Sequence, residues 1–79
     1  MRVVNDFTKD GIKITLFDWN NKYLLKFEAG GMEQTFKVAA MDVTAESDLE
    51  ELTRGIFFDQ VKERFNEMNQ SLQKAMKNF

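Results

Sequence analysis

At 79 residues, with no cysteine and no histidine, the chain can hold only a small core and must do without disulfides, thiolate zinc sites or the commonest acid–base side chain. Of the usual aids to a small domain, disulfides, metals and oligomerisation, oligomerisation is the one expected here. The formal charge of −2 divides into six basic and five acidic groups over residues 1–41 and five basic and eight acidic over 42–79, so neither half has the excess a duplex-DNA binder uses against phosphates.

Apolar runs are only a few residues long, too short to span a membrane, and the N-terminus lacks the apolar core of a signal peptide. The expectation is a cytoplasmic protein forming one α+β domain over residues 1–79. Residues 1–10 read two ways. Val3, Val4 and Phe7 suit an edge strand at 2–7, while Asp6, Thr8, Lys9 and Asp10 suit a loop or flexible arm.

From Gly11 the pattern sharpens. Ile12, Ile14 and Leu16 alternate with Lys13, Thr15 and Phe17, the period-two signature of a half-buried strand. Asn20-Asn21 then interrupts, and asparagine tolerates positive φ better than most residues with a side chain. A two-residue turn there pairs Trp19 with Lys22, Phe17 with Leu24, Leu16 with Leu25, Ile14 with Phe27 and Lys13 with Glu28. Apolar then meets apolar and acid meets base. One face collects Ile12, Ile14, Leu16, Tyr23, Leu25, Phe27 and Ala29.

Gly30-Gly31 marks a second tight turn, and a third strand is predicted over about Met32–Met41. A two-residue loop pairs Phe27 with Gln34, Leu25 with Phe36 and Tyr23 with Val38. It also sets Glu28 against Glu33, a flaw that leaves a longer loop and shifted register open.

After the polar connection Asp42–Asp48, Ser47-Asp48-Leu49-Glu50 fits a capping box and predicts a short helix over about 48–54. Its stripe, Leu49, Leu52 and Ile56, is out of phase with the next one. That next stripe is Phe58, Val61, Phe65, Met68, Leu72, Ala75 and Phe79, at alternating steps of three and four, which predicts a long amphipathic helix over about 56–78. Gly55 lies at the phase change and reads as a break. The whole is a three-stranded antiparallel meander, with a fourth edge strand possible, followed by a short helix and a long C-terminal helix packed on one sheet face.

Chemistry-bearing patterns are few. Alternate oxygen side chains from Asp42 to Glu50 look superficially like a calcium loop, but its sixth and twelfth positions are Ser47 and Thr53 rather than glycine and glutamate. Glu50/Glu51 and Glu63/Glu67 are paired carboxylates on charged helix faces. There is no phosphate-binding glycine motif and no nucleophile–base spacing. No catalytic residue, metal ligand or cofactor is expected, and the chain reads as a non-enzyme.

The other sheet face carries Lys13, Thr15, Phe17, Trp19, Lys22, Leu24, Lys26, Thr35, Lys37 and Ala39. Of these, Phe17, Trp19, Lys22, Leu24, Lys26 and Lys37 form a candidate interaction face. Aromatics among lysines on a sheet also suit single-stranded nucleic acid, the alternative, although Glu28 and Glu33 dilute the charge. Three covers are possible for this face: the N-terminal segment, the short helix through Leu49 and Leu52, or another chain. A helix of about 23 residues spans roughly 34 Å against roughly 27 Å for a strand of about eight. Its end should overhang the sheet, which makes Met68, Leu72, Ala75, Met76 and Phe79 a candidate homodimer contact. The leading expectation is a homodimeric protein-interaction module or small adaptor.

Overall fold

A computed structural model describes residues 1–77. Four antiparallel strands, β1 (Arg2–Lys9), β2 (Ile12–Trp19), β3 (Lys22–Ala29) and β4 (Met32–Ala39), lie in sequence order in one open sheet. A 3-10 turn (Ala40–Asp42), a 3-10 helix (Glu46–Thr53) and the helix α1 (Gly55–Met76) follow. The architecture is α+β with four strands rather than three.

The β2–β3 and β3–β4 hairpins both take the register of a two-residue turn. Trp19 faces Lys22, Phe17 faces Leu24 and Ile14 faces Phe27 across β2 and β3. Asn20 and Asn21 supply the turn with φ of 55° and 63°. Across β3 and β4, Phe27 faces Gln34, Leu25 faces Phe36 and Glu28 faces Glu33. The acid pair is tolerated because Lys26 stands beside both, with its Nζ 3.6 Å from Glu28 and 3.8 Å from Glu33. All three groups are partly solvated, so this relieves repulsion more than it adds stability.

Strand β1 is the element the sequence left open. Its apolar residues Val4 and Phe7 are three apart, so a regular strand would send them to opposite faces. A bulge between Val3 and Asn5 shifts the parity. Val4 then packs against the core, and Phe7 falls opposite Ile14 on the same side. The strand runs on to Lys9, whose ammonium donates to the Thr53 carbonyl at 3.2 Å and lies 4.8 Å from the Phe58 ring centroid. Lys9 thus ties the edge of the sheet to both helical segments.

The core lies between the inner sheet face and these segments. Ile12, Ile14, Leu16, Leu25 and Phe27 from the sheet meet Leu49 from the 3-10 helix and Phe58, Val61 and Phe65 from α1. Phe27 is completely buried, with its ring centroid 6.0 Å from Phe36, 6.2 Å from Phe57 and 6.3 Å from Phe58. Each such side chain contributes about 1.5–3 kcal/mol by leaving water. Gln34, a polar residue on this face, donates to the Val61 carbonyl at 3.0 Å and pins α1 to β4.

The 3-10 helix begins earlier than a Ser47 cap implies. The Ala45 N–H donates to the Asp48 carboxylate at 3.1 Å, and the Asp48 N–H to the Ala45 carbonyl at 3.0 Å. A three-residue turn keeps Leu49 and Leu52 on one side, where Leu49 is buried and Leu52 packs against the core. Ile56, assigned to the same stripe, is instead 77% exposed. The break falls at Gly55, whose φ of +69° is the left-handed region that a side chain disfavours.

Candidate functional site

The outer sheet face is built in cross-strand rows. Val3, Phe17, Leu24 and Lys37 form one row, Asp6, Thr15, Lys26 and Thr35 the next, and Trp19, Lys22 and Ala39 lie at one end. Residue alternation forces this, because Ile14, Leu16, Leu25, Phe27 and Phe36 on either side of these positions face the core. Lys22 stands over the Trp19 ring at 5.3 Å, and Lys26 over the Phe17 ring at 5.9 Å. Phe17 and Leu24 are consequently half-buried, whereas Trp19 is 44% exposed and Val3 53%.

Neither intramolecular cover proposed for this face is present. β1 lies in the plane of the sheet rather than across it, and Leu49 is buried on the opposite side. The structure brings Phe17, Trp19, Lys22, Leu24, Lys26 and Lys37 together on one surface, and it adds Val3. Sequence reasoning missed Val3 because its place beside Phe17 depends on the pairing of β1. The apolar pair Val3-Val4 was the available signal.

The second surface is the far half of α1. Phe58, Val61 and Phe65 are buried and Met68 packs against the core, but every described residue from Asn69 onward is exposed. Leu72 is 52% exposed, Met76 55%, and Ala75 is also exposed. Phe79 lies outside the described residues. Phe65 shares a depression with Asp10, Gly11, Ile12 and Ala29, at the end of the sheet where two hairpin turns lie. The helix leaves the sheet over that end and carries its apolar stripe beyond it. Alongside, an open groove of about 680 Å³ separates α1 at Arg64, Glu67, Met68 and Ser71 from β4 at Gln34, Thr35 and Phe36.

The carboxylates proposed as pairs remain apart from any enclosed site. Glu50, Glu51, Glu63 and Glu67 are all exposed. Among the described residues, no three His, Cys, Asp or Glu side chains gather as a metal site would require. A compact charged cluster joins the start of β1 to the 3-10 helix, where the Arg2 guanidinium reaches Asp18 at 2.8 Å and Glu46 at 2.9 Å. These bonds push the Arg2 pKa up. Tyr23 is neighbour to this cluster. Burial pushes its phenol above the ordinary tyrosine range, and the negative charges of Glu46 and Asp18 push it the same way. The cluster links β1, β2 and the 3-10 helix and reads as a tie between elements.

No helix among the described residues is long and apolar enough to cross a membrane. Comparison with known proteins finds no matching family model, no significantly similar curated protein and no significantly similar solved structure. The functional reading therefore rests on these two surfaces.

Proposed function

We propose that the protein is a non-enzymatic protein-interaction module that works as a homodimer. The observation that carries this reading is the apolar stripe of α1. It is continuous with the core through Phe65 and Met68, yet it runs on past the sheet to Leu72 and Met76, both more than half exposed. An apolar stripe extended beyond what its own sheet can cover is suited to a second copy, since a two-fold axis brings a surface of the other copy to each overhanging tip. The outer face with Trp19, Val3 and Leu24 is then free for a further protein partner. Sedimentation equilibrium of the full chain beside a Leu72→Gln/Met76→Gln variant tests the reading. The parent is expected as two chains, and the variant as one.

A second reading, single-stranded nucleic acid on the outer face, draws on the lysines placed over Phe17 and Trp19. Two features weigh against it. Lys22 and Lys26 occupy ring faces on which bases would stack. The rows also mix Lys13, Lys22, Lys26 and Lys37 with Asp6, Glu28 and Glu33, leaving little net positive charge. Binding to a single-stranded oligonucleotide that falls steeply with salt would favour this second reading over the first.

A further inference from the structure

We infer that two copies of this chain join edge to edge through β4, antiparallel and centred on Thr35, so that Glu33 of each faces Lys37 of the other. The inference rests on the homodimer reading and specifies its geometry.

The sheet is open, so two strands present unpaired backbone. The two edges are not equivalent. β1 is broken by its bulge, a device that spoils pairing with another chain. β4 runs eight residues without a register shift.

The hairpin determines which of its backbone groups are free. A two-residue turn makes Ala29 and Met32 the closing hydrogen-bonded pair, after which bonded and non-bonded pairs alternate. Even-numbered residues of β4 therefore bond to β3, a parity continued where the Ala40 N–H donates to the Asn21 carbonyl at 3.0 Å. The odd-numbered residues, Glu33, Thr35, Lys37 and Ala39, turn their N–H and C=O groups to the open edge.

Self-pairing must then match odd residues to odd, which leaves few registers. Centring on Glu33 or on Lys37 sets like charges directly opposite, which is unfavourable. Centring on Gln34 or Phe36 leaves Glu33 and Lys37 without opposite charges. Centring on Thr35 pairs Glu33 with Lys37 twice by symmetry and exchanges both Thr35 backbone hydrogen bonds across the axis. On the inner face it sets Gln34 against Phe36 and Met32 against Val38, at the open groove between β4 and α1.

The same register relates the second surface to the first. Gly31 of one copy falls opposite Ala39 of the other. That brings the mate's Ala40–Asp42 turn, where Met41 is 90% exposed, to the end of the sheet from which Leu72 and Met76 project. Three exposed apolar residues that the monomer leaves without cover thus gather at each end of one interface.

The absence of cysteine makes the register directly testable. In a hydrogen-bonded antiparallel pair, opposite Cα atoms lie about 5.5 Å apart, within disulfide reach. A full-length Thr35→Cys variant is expected to oxidise to a covalent dimer. Glu33→Cys alone is not, because its mate would sit four strand residues away, roughly 14 Å. A mixture of Glu33→Cys and Lys37→Cys is expected to cross-link as a heterodimer. Independently, Lys37→Glu should weaken dimerisation by roughly tenfold or more, and Glu33→Lys/Lys37→Glu should restore it. A dimeric parent whose Thr35→Cys variant stays uncross-linked overturns the register and leaves the homodimer reading standing. A monomeric parent overturns both.

Discussion

Replacing Leu72 and Met76 together by glutamine removes the overhanging apolar groups with little else disturbed. Glutamine is as good a helix former as either residue, and it adds no charge at the negative end of the helix dipole. Because Leu72 is 52% exposed and Met76 55%, burying what remains yields about half of the roughly 1.5–3 kcal/mol for a whole side chain. Four such groups across a two-fold interface amount to about 3–6 kcal/mol, or roughly two to four orders of magnitude in the dimer dissociation constant. Sedimentation equilibrium over a concentration series gives that constant for parent and variant. Urea unfolding followed by Trp19 fluorescence, at concentrations where both are monomeric, is expected to give nearly equal stabilities. An unchanged dissociation constant would refute the reasoning. So would a monomer that loses several kcal/mol, since these side chains would then belong to its own core.

Three further outcomes are expected. Phe27→Ala, emptying the most enclosed aromatic site, should cost about 3–5 kcal/mol in urea unfolding, a large share of the roughly 4–12 kcal/mol a chain of this size holds. Gly55→Ala meets no atom within 4 Å, so its cost comes from the φ of +69° alone; it should be about 1–2 kcal/mol, and a stabilised variant would contradict the break between the helical segments. Tyr23 is the only tyrosine, so phenolate absorbance reports it directly. Its folded pKa is raised, so the associated stability is fully present below the unfolded value of about 10 and is lost as pH rises through the folded one. Glu46→Gln should lower that midpoint, and Arg2→Ala should raise it.

The parts of the fold legible in the sequence are those set by short-range complementarity. Phe17 with Leu24 and Lys13 with Glu28 determine one hairpin, and the stripe from Phe58 to Met68 marks the buried face of α1. The phase change at Gly55 was legible because Ile56 and Phe58 cannot share a helix face. What alternation alone could not place was β1, since Val4 and Phe7 reach one side only through a bulge. The 3-10 form of Glu46–Thr53 was equally hidden, because a step of three from Leu49 to Leu52 fits either helix type. Lys26 answers the Glu28/Glu33 mismatch from the neighbouring row, a relation that becomes visible only when all three strands are laid together. Of the candidate surfaces, the lysine and aromatic face and the exposed tip at Leu72 and Met76 followed from periodicity and length. Val3 and Met41 did not, since their exposure depends on the pairing of β1 and on the turn that ends β4.

The central claim is that this chain's working form is a pair. Light scattering of the full-length protein, measured from low to high micromolar concentration, tests it most directly. Two chains of 9.3 kDa give 2 × 9.3 = 18.6 kDa. The account expects that mass at high micromolar concentration, falling towards one chain on dilution. A mass of one chain throughout the range would contradict it.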